Sequence, residues 1–557
     1  HEGFGFGVDS KLDGKLADIR SAYFETASPA KKAKLKEAYY KLTQASFTSE
    51  IDLRTRQLNS FDPFRFADAA QFFDPQQMFG IDSFDIVVGN PPYIGEKGNK
   101  EVFRRLAGSS IHDRFYQGRA DMLHYFFHLG IDVLRQGGVL VFITTNYYPT
   151  ATFGSNLRKD MASRTKILAL INFNELKVFE SALGQHNMIT VLQKNTKNSD
   201  YSCHQVVADA RGAIDQKQLN EILAANSTLA LNGDVAVAQL FDGETNYIRF
   251  ISASSSITSV LQKVADRGRP LGKIPAVSIN QGIVTGIDRL TPRWKAKFPS
   301  VTAPINAPVY VFPRGAETFD HLKPWFKSSD ICRYVTAEQP TWELLYLGRG
   351  IKPASAEIAH LKPFRPILEA RREFQPGRHN ALPWYELHWP REQRIFEGPK
   401  VVCAYRTPDN AFAYNDKAFY AGADLTLITT DVSAGIDLFF LLGLLNSSLI
   451  YTWFYNRGKR KGDMLELKAV PVSEVPIARN PQLEKSIAAV AKKIRTDLSE
   501  DPEADTGKLE AELDEQVYEL YGVDPAEKEA VRNFVKSKAS ARKMTPNIDE
   551  EDAADEA

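Results

Sequence analysis

Four consecutive residues, Asn90-Pro91-Pro92-Tyr93, combine a carboxamide, two stiff backbone units and an aromatic ring. Each proline fixes its own φ and restricts the residue before it. The Asn90 amide oxygen and the Pro91 carbonyl are thereby offered as two stationary acceptors, with the flat Tyr93 ring beside them. This set suits an exocyclic amino group. Two acceptors hold its two hydrogens and concentrate lone-pair density on the nitrogen, while the ring sandwiches the base. A base stacked in a duplex reaches such a site only after it has been flipped out. A bare Pro-Pro turn without chemistry is the competing reading, so the flanking residues carry the weight.

Those flanks are the elements that must position the turn. Asp85-Ile86-Val87-Val88 is a short apolar, β-branched run ended by Gly89, and it predicts a buried strand. The carboxyl end of a strand in an open α/β sheet is where ligands bind. Residues 95–101 (GEKGNKE) form a polar Gly/Lys loop able to close over a substrate. Asp121 to Leu134 predicts a buried helix capped at Gln136-Gly137-Gly138. The strand VLVFITTN follows, then a helix from Leu157-Arg158, then the strands ILALINF and MITVLQK. This is the βαβ rhythm of a doubly wound sheet. His124 and His128 are four residues apart, but without further ligands nearby they read as surface or core histidines, and no metal is expected.

The Asn-Pro-Pro-Tyr turn at the end of a strand resembles motif IV, (D/N)PP(Y/F), of the amino-group DNA methyltransferases, in its adenine-specific form. The resemblance implies that Asn90 and Pro91 bind the amino group, that Pro92 shapes the turn, and that Tyr93 stacks on the base. It also implies an aromatic on a later loop for the other face of the base. Phe179, ahead of MITVLQK, is the candidate, with Phe173 as fallback; one stacked base is worth about 1–3 kcal/mol. S-adenosyl-L-methionine is the implied cofactor and double-stranded DNA the implied partner.

Composition sets the frame. At 557 residues the chain has room for two or more domains. Hydrophobic residues are 43% and charged residues 25%, ordinary for a globular protein. The formal net charge is zero, so a nucleic-acid surface must be a local basic patch balanced elsewhere. Cys203, Cys332 and Cys403 form no CxxC pair, which fits a reducing bacterial or archaeal cytoplasm. No apolar run reaches membrane-spanning length.

One such patch is legible. Leu345 to Arg406 holds eleven Lys/Arg against six Glu and no Asp, with Trp384, Tyr385, Trp389 and Tyr405 interleaved. Phosphate contacts position a protein on DNA and base contacts specify the site. Composition alone leaves a DNA surface and a solvated loop-rich domain equally good. The pieces WYELHWPREQRIFEGPKVV, AFAYNDKAFYAGADLTLI, LLGLLNSSLIYTWFYNRGKRKGDMLELK and PVSEVPI resemble, in order, the target-recognition domain of type IIG restriction–modification enzymes and Taq-type adenine methyltransferases. That resemblance implies DNA contacts from Arg371, Arg372, Arg391, Arg394, Arg406, Arg457, Lys459, Arg460 and Lys461.

The expected fold class is α/β. A partial Rossmann-like methyltransferase domain, a doubly wound sheet, precedes an α+β target-recognition domain and C-terminal helices. The expected divisions are a helical hairpin at 1–60, with Ser28 as N-cap and Pro29 at the first helical position, then the catalytic half-domain at 61–198. A connecting segment spans 199–270 and the recognition domain 271–480. Helices occupy 481–545, and an acidic tail, read as disordered, closes the chain at 546–557. Residues 61–79, rich in Phe, read as packing.

Two departures from the resembled family matter. Its glycine-rich cofactor turn is not found ahead of Asn90, and the opening GFGFGVD is a decoy without a preceding strand. The start at His1 reads as an internal piece, expected to be poorly active by itself. The expected function is site-specific adenine-N6 methylation of DNA within a restriction–modification system. The alternatives are a bifunctional type IIG enzyme with its nuclease domain or subunit outside this chain, and a DNA specificity module without catalysis.

Overall fold

The apolar run ahead of the Asn-Pro-Pro turn is a strand, β1 (Phe84–Gly89), in the computed structural model. The structure describes residues 10–45, 62, 64, 73, 75–79, 81–179, 186–195, 200–243, 245–251, 255–373, 383–431, 435–461 and 464–542. The GFGFGVD opening and the acidic tail lie outside them. The chain divides into two units, His1–Ile251 and Ser252–Ala557, each described by itself.

In the first unit β1 joins β2 (Leu134–Thr145), β3 (Thr165–Asn172), β4 (Asn187–Lys194), β5 (Ser202–Ala208) and β6 (Ala230–Ala236) in one sheet. The order is β1-β2-β4-β3-β5-β6. β1 runs parallel to β2, and β4 is inserted antiparallel between β2 and β3. The sheet is therefore mixed, within the expected α/β class. The helices Met122–Val133 and Ser155–Arg164 pack on it. Leu123, Phe127, Ile131, Leu157 and Met161 meet Leu140, Phe142, Ile167, Leu170, Met188 and Leu192 in one core.

Three expectations need correction. β1 is not buried: Ile86 is 64% and Val88 72% exposed, because β1 is the edge strand among the described residues and only Val87 reaches the core. The Gly137-Gly138 pair does not cap the preceding helix, which stops at Val133 and turns directly into β2. Instead the pairing jumps from Phe84↔Leu134 to Ile86↔Val139, and the intervening residues bulge. Gly137 sits at φ 76°, and a Cβ on Gly138 would lie 3.0 Å from the Asp85 carbonyl. Finally, 199–270 is more than a connector. β5 and β6 extend the sheet, whereas the helix Ser255–Arg267 packs in the second unit, where Lys263 pairs with Glu527 at 2.6 Å.

The helical hairpin forms as its cap chemistry requires: Ser10–Glu25, a break at Ser28, then Pro29–Ala45. The Lys31 N–H points at the Ser28 hydroxyl, 3.4 Å away. Phe64 does pack, against Tyr23 and Tyr39, but Phe73 and Phe79 are exposed.

His128 is buried, with its Nδ1 2.6 Å from Asp160 Oδ2, and Arg164 bridges Asp160 to Asp132. Burial, then the neighbouring His128 and Arg158, push His124 down to about 3. Both histidines thus belong to the helix packing.

The second unit is built from small, mostly antiparallel sheets and a helical core. Val277–Gln281, Leu425–Thr430, Lys400–Ala404 and Phe412–Asn415 form one sheet in that order, and the short strands Val311–Pro313, Trp342–Leu345, Leu322–Phe326 and Tyr420–Ala421 a second. GLLNSSLI is not one helix. Leu438–Asn446 and Ser448–Arg457 meet at a 67° bend, where the Ser447 hydroxyl accepts from the Ile450 N–H. This pair is core, packed with the helices Pro481–Glu500, Gly507–Tyr521 and Pro525–Ser537. The C-terminal helices therefore share their core with the preceding sheets. Among the described residues no single helix is long and apolar enough to cross a membrane.

A Cβ on Gly443 would lie 2.9 Å from Ile487 Cγ2 and 3.0 Å from Leu513 Cδ1, so this helix crossing depends on glycine. Gly443→Val is expected to cost about 1–3 kcal/mol by overpacking. Urea unfolding checks this, and an unchanged midpoint would remove the close-approach argument.

Candidate active site and nucleic-acid interface

The parallel pair β1 and β2 delivers its carboxyl ends to one rim. Because β4 is antiparallel there, its first residues reach the same rim: Thr145 is paired with Asn187, and Asn172, at the end of β3, with Met188. The order of the strands thus gathers Asn90, Asn146, Asn172 and Asn187 at one end of the sheet.

Asn90 and Pro92 are exposed, Pro91 is buried and Tyr93 is half-buried. The Tyr93 hydroxyl donates to Asn90 Oδ1 at 2.7 Å, and the Ile143 carbonyl lies 3.3 Å away as a second acceptor. The ring packs against the sheet core. The Tyr93 hydroxyl is therefore tied to the acceptor that the sequence assigned to an amino group. A carboxamide oxygen has two lone pairs, so Asn90 retains acceptor capacity. Burial pushes the Tyr93 phenol up, and the nearby Asn187 side chain pulls the other way.

Around this pair lies a polar rim that sequence reasoning missed. The Asn146 N–H donates to the His186 carbonyl at 2.9 Å, and its Nδ2 to Asn172 Oδ1 at 3.0 Å. The Asn174 N–H donates to the same Asn172 oxygen, also at 3.0 Å. His186 Nδ1 lies 2.8 Å from the Asn174 carbonyl. Tyr147 is 40% exposed and stands edge-on to His186 at 6.2 Å. The signal was available: Asn146-Tyr147 follows β2 as Asn90-Pro91 follows β1, and ligands gather at such ends. Of the two candidate stacking rings, Phe173 is fully buried among Leu176, Val206 and Ile222, whereas Phe179 is 37% exposed. Among the described residues no group of three His, Cys, Asp or Glu is placed to hold a metal.

In the second unit the nine basic residues separate by burial. Arg371 is buried; its guanidinium donates to the Thr285 carbonyl and lies 3.5 Å from the Tyr310 hydroxyl. Arg391 and Arg394 are exposed. Arg391 Nε donates to the Gly282 carbonyl, and Arg394 pairs with Glu392 at 2.6 Å across an exposed gap. Arg406 and Lys459 both turn to Glu466, at 3.4 and 2.8 Å. Glu466 is 5% exposed and lies on Met464–Glu466, which pairs with Arg406–Thr407 and Arg460–Lys461. Burial pushes its carboxyl up, but Lys459, Lys468 and Arg406 outweigh burial and hold it below the usual range. Arg460 stacks on the Tyr455 ring at 3.9 Å, and Arg457 is half-buried at a helix end. The side chains of Arg372 and Lys461 lie outside the described residues.

Comparison with known proteins divides the chain in the same sense. Residues 12–179 match the family model described as Eco57I restriction-modification methylase, and residues 345–477 that described as TaqI-like C-terminal specificity domain. The chain is 21% identical to the Type II methyltransferase M.HindII of Haemophilus influenzae, over 71% of this chain and 75% of that protein. It is 23% identical to the Type II methyltransferase M.PaeR7I of Pseudomonas aeruginosa, over 80% of this chain and 72% of that protein. A solved structure, the Type IIL restriction-modification enzyme MmeI in complex with DNA, is 14% identical with a TM-score of 0.49. That alignment takes in 82% of this chain and 57% of the other, so the chain spans little more than half of that enzyme's length.

Proposed function

Because the chain carries an Eco57I-type restriction-modification methylase domain and a TaqI-like C-terminal specificity domain, we propose that it belongs to an enzyme that methylates the amino nitrogen of adenine in a specific duplex sequence. The observation that carries the reading is the acceptor pair at the end of β1, with Asn90 exposed on a rim lined by further carboxamides. Asn90 Oδ1 and the Pro91 carbonyl hold the two amino hydrogens and aim the nitrogen lone pair. Tyr93 and Phe179 bracket the extruded ring. Catalysis of this kind is positioning and polarisation of the nucleophile, with no strong base required.

S-adenosyl-L-methionine supplies the electrophilic methyl. The described residues fit the amino-group side of that reaction and not the cofactor cradle. β1 is their edge strand, and the apolar residues Ile86 and Val88 are uncovered. Labelled methyl transfer to unmethylated DNA, by the full-length protein beside its Asn90→Ala variant, tests the reading. Label in N6-methyladenine that is lost in the variant supports it. DNA binding by an intact protein that transfers no label would favour the specificity-module alternative.

The second unit is the proposed DNA-reading part, with Arg391 and Arg394 as its exposed candidates. Each phosphate contact contributes about 0.9 to the slope of log K against log salt. Arg391→Ala and Arg394→Ala are each expected to lower that slope by about one, measured by fluorescence anisotropy across a salt series. Arg371→Ala, a change of a buried side chain, should leave the slope unchanged in protein that remains folded. An altered Arg371 slope with unaltered Arg391 and Arg394 slopes would reverse the assignment.

A further inference from the structure

In the second unit the strand Trp342–Leu345 lies between Val311–Pro313 and Leu322–Phe326, with Trp342 paired to Pro313 on one side and to Trp325 on the other. Two cations meet on the Trp342 ring. The Arg289 guanidinium lies 4.1 Å from its centre and the Lys327 ammonium 5.1 Å from it. All three side chains are half-buried. They belong to a net positive stretch: residues 288–327 hold seven Lys/Arg against three Asp/Glu. The acids beside the ring are engaged elsewhere. Asp288 Oδ1 accepts from the Thr285 hydroxyl, and Asp330 Oδ2 from the Lys327 backbone N–H. Glu343 accepts from the Gly315 N–H and projects from the other face of the sheet, since neighbouring side chains alternate across a strand. Among the described residues no carboxylate lies within ion-pair range of Arg289.

We propose that Arg289, oriented by the Trp342 ring and accompanied by Lys327, is a phosphate contact through which the second unit grips duplex DNA. An isolated surface arginine is simply solvated. Arg289 is instead partly withdrawn from water with a second cation beside it, so desolvation and repulsion both raise the local demand for an anion. A guanidinium held over an indole keeps its N–H fork available, and the ring fixes the fork before a phosphate arrives. Such a contact positions the protein on the backbone and carries no base information. Trp342 is then a positioning residue acting through Arg289. The assignment rests on the reading of the second unit as the DNA-binding part. It adds a contact outside the residues 345–477 matched to the specificity domain and outside the nine basic residues named from the sequence.

The experiment is fluorescence anisotropy across a salt series with the full-length protein, on a duplex carrying the target sequence and on an unrelated duplex of equal length. Arg289→Ala should lower the slope of log K against log salt by about 0.9 on both duplexes, the loss of one neutralised phosphate. The ratio of the two affinities should stay within about twofold, because a phosphate contact is blind to sequence. Arg289→Lys keeps the charge and should keep the slope. Trp342→Leu keeps both cations and removes their platform, so affinity should fall roughly two- to fivefold with the slope retained. Lys485, exposed on the helix Pro481–Glu500, is the control for charge alone, and Lys485→Ala should leave the slope as it is. An unaltered Arg289→Ala slope overturns the contact and leaves the DNA reading of the unit intact. An equal fall for Lys485→Ala also overturns it, since net charge and not a local contact would then set the slope. A changed ratio between the duplexes would assign Arg289 to a base. A wild type without measurable DNA affinity overturns the contact and the DNA reading together.

Discussion

Asn90→Ala is expected to lower methyl transfer by at least a hundredfold while leaving DNA affinity within about twofold. Removing one preorganised group aimed at a reacting centre typically costs ~10²–10³ in kcat. Alanine takes away one of the two acceptors that hold the amino group, and with it the polarisation of the nitrogen. The backbone of the turn remains, because its shape is set by Pro91 and Pro92 and not by the Asn90 side chain. DNA affinity belongs in this reading to the second unit, whose exposed arginines are untouched. Asn90→Asp keeps an oxygen acceptor of similar size and should retain more activity than alanine. Single-turnover methylation beside anisotropy binding separates the two effects. A variant within tenfold of wild type would place the nucleophile's acceptors elsewhere on the rim, with Asn146 the next residue to examine.

Glu466→Gln is expected to destabilise the second unit by ~3 kcal/mol at neutral pH, since removing one partner from a buried ion pair leaves the others uncompensated. Here two cations share the one carboxylate, Lys459 at 2.8 Å and Arg406 at 3.4 Å; Arg406 and Glu466 lie on paired strands, and Lys459 directly precedes the third strand of that small sheet, Arg460–Lys461. The pH dependence has a definite sign. The folded carboxyl lies below its ordinary range. Its contribution is therefore complete above the unfolded value, about 4.3, and is lost as pH falls through the folded value. The difference between wild type and Glu466→Gln should shrink as pH is lowered toward 3. Urea unfolding at several pH values reads this, and a difference that grew at acid pH would contradict the pairing. DNA affinity should fall with the same substitution, because the loop loses its anchor.

What could be read from the chain divides cleanly by range. The turn at Asn90 was legible because two prolines and a β-branched run are local signals. The same holds for the Ser28-Pro29 break and the C-terminal helices, whose caps and periodicities lie within a few residues of each other. The bend at Ser447 is not announced by the apolar run on either side of it. The bulge at Gly137-Gly138 was read as a helix cap because glycine serves both purposes, and only the pairing with β1 decides between them.

The basic residues show the limit most plainly. In sequence, Arg371, Arg391, Arg394 and Arg406 are equivalent members of one positive stretch. In the fold Arg371 is inside, Arg406 is neutralised by Glu466, and Arg391 and Arg394 face outward. Charge is a property of a residue, but availability is a property of its surroundings.

By itself, then, the sequence determined the strand, the stiff acceptor turn at its end, and the α/β class, since covalent geometry and short-range periodicity decide those. Tertiary structure alone decided that β1 is the edge strand among the described residues, that β4 enters antiparallel, and that Asn90, Asn146, Asn172 and Asn187 gather at one rim. Each of these depends on strand order, and strand order is set by the burial of whole faces and by hydrogen bonds between segments far apart in the chain, which no local pattern encodes.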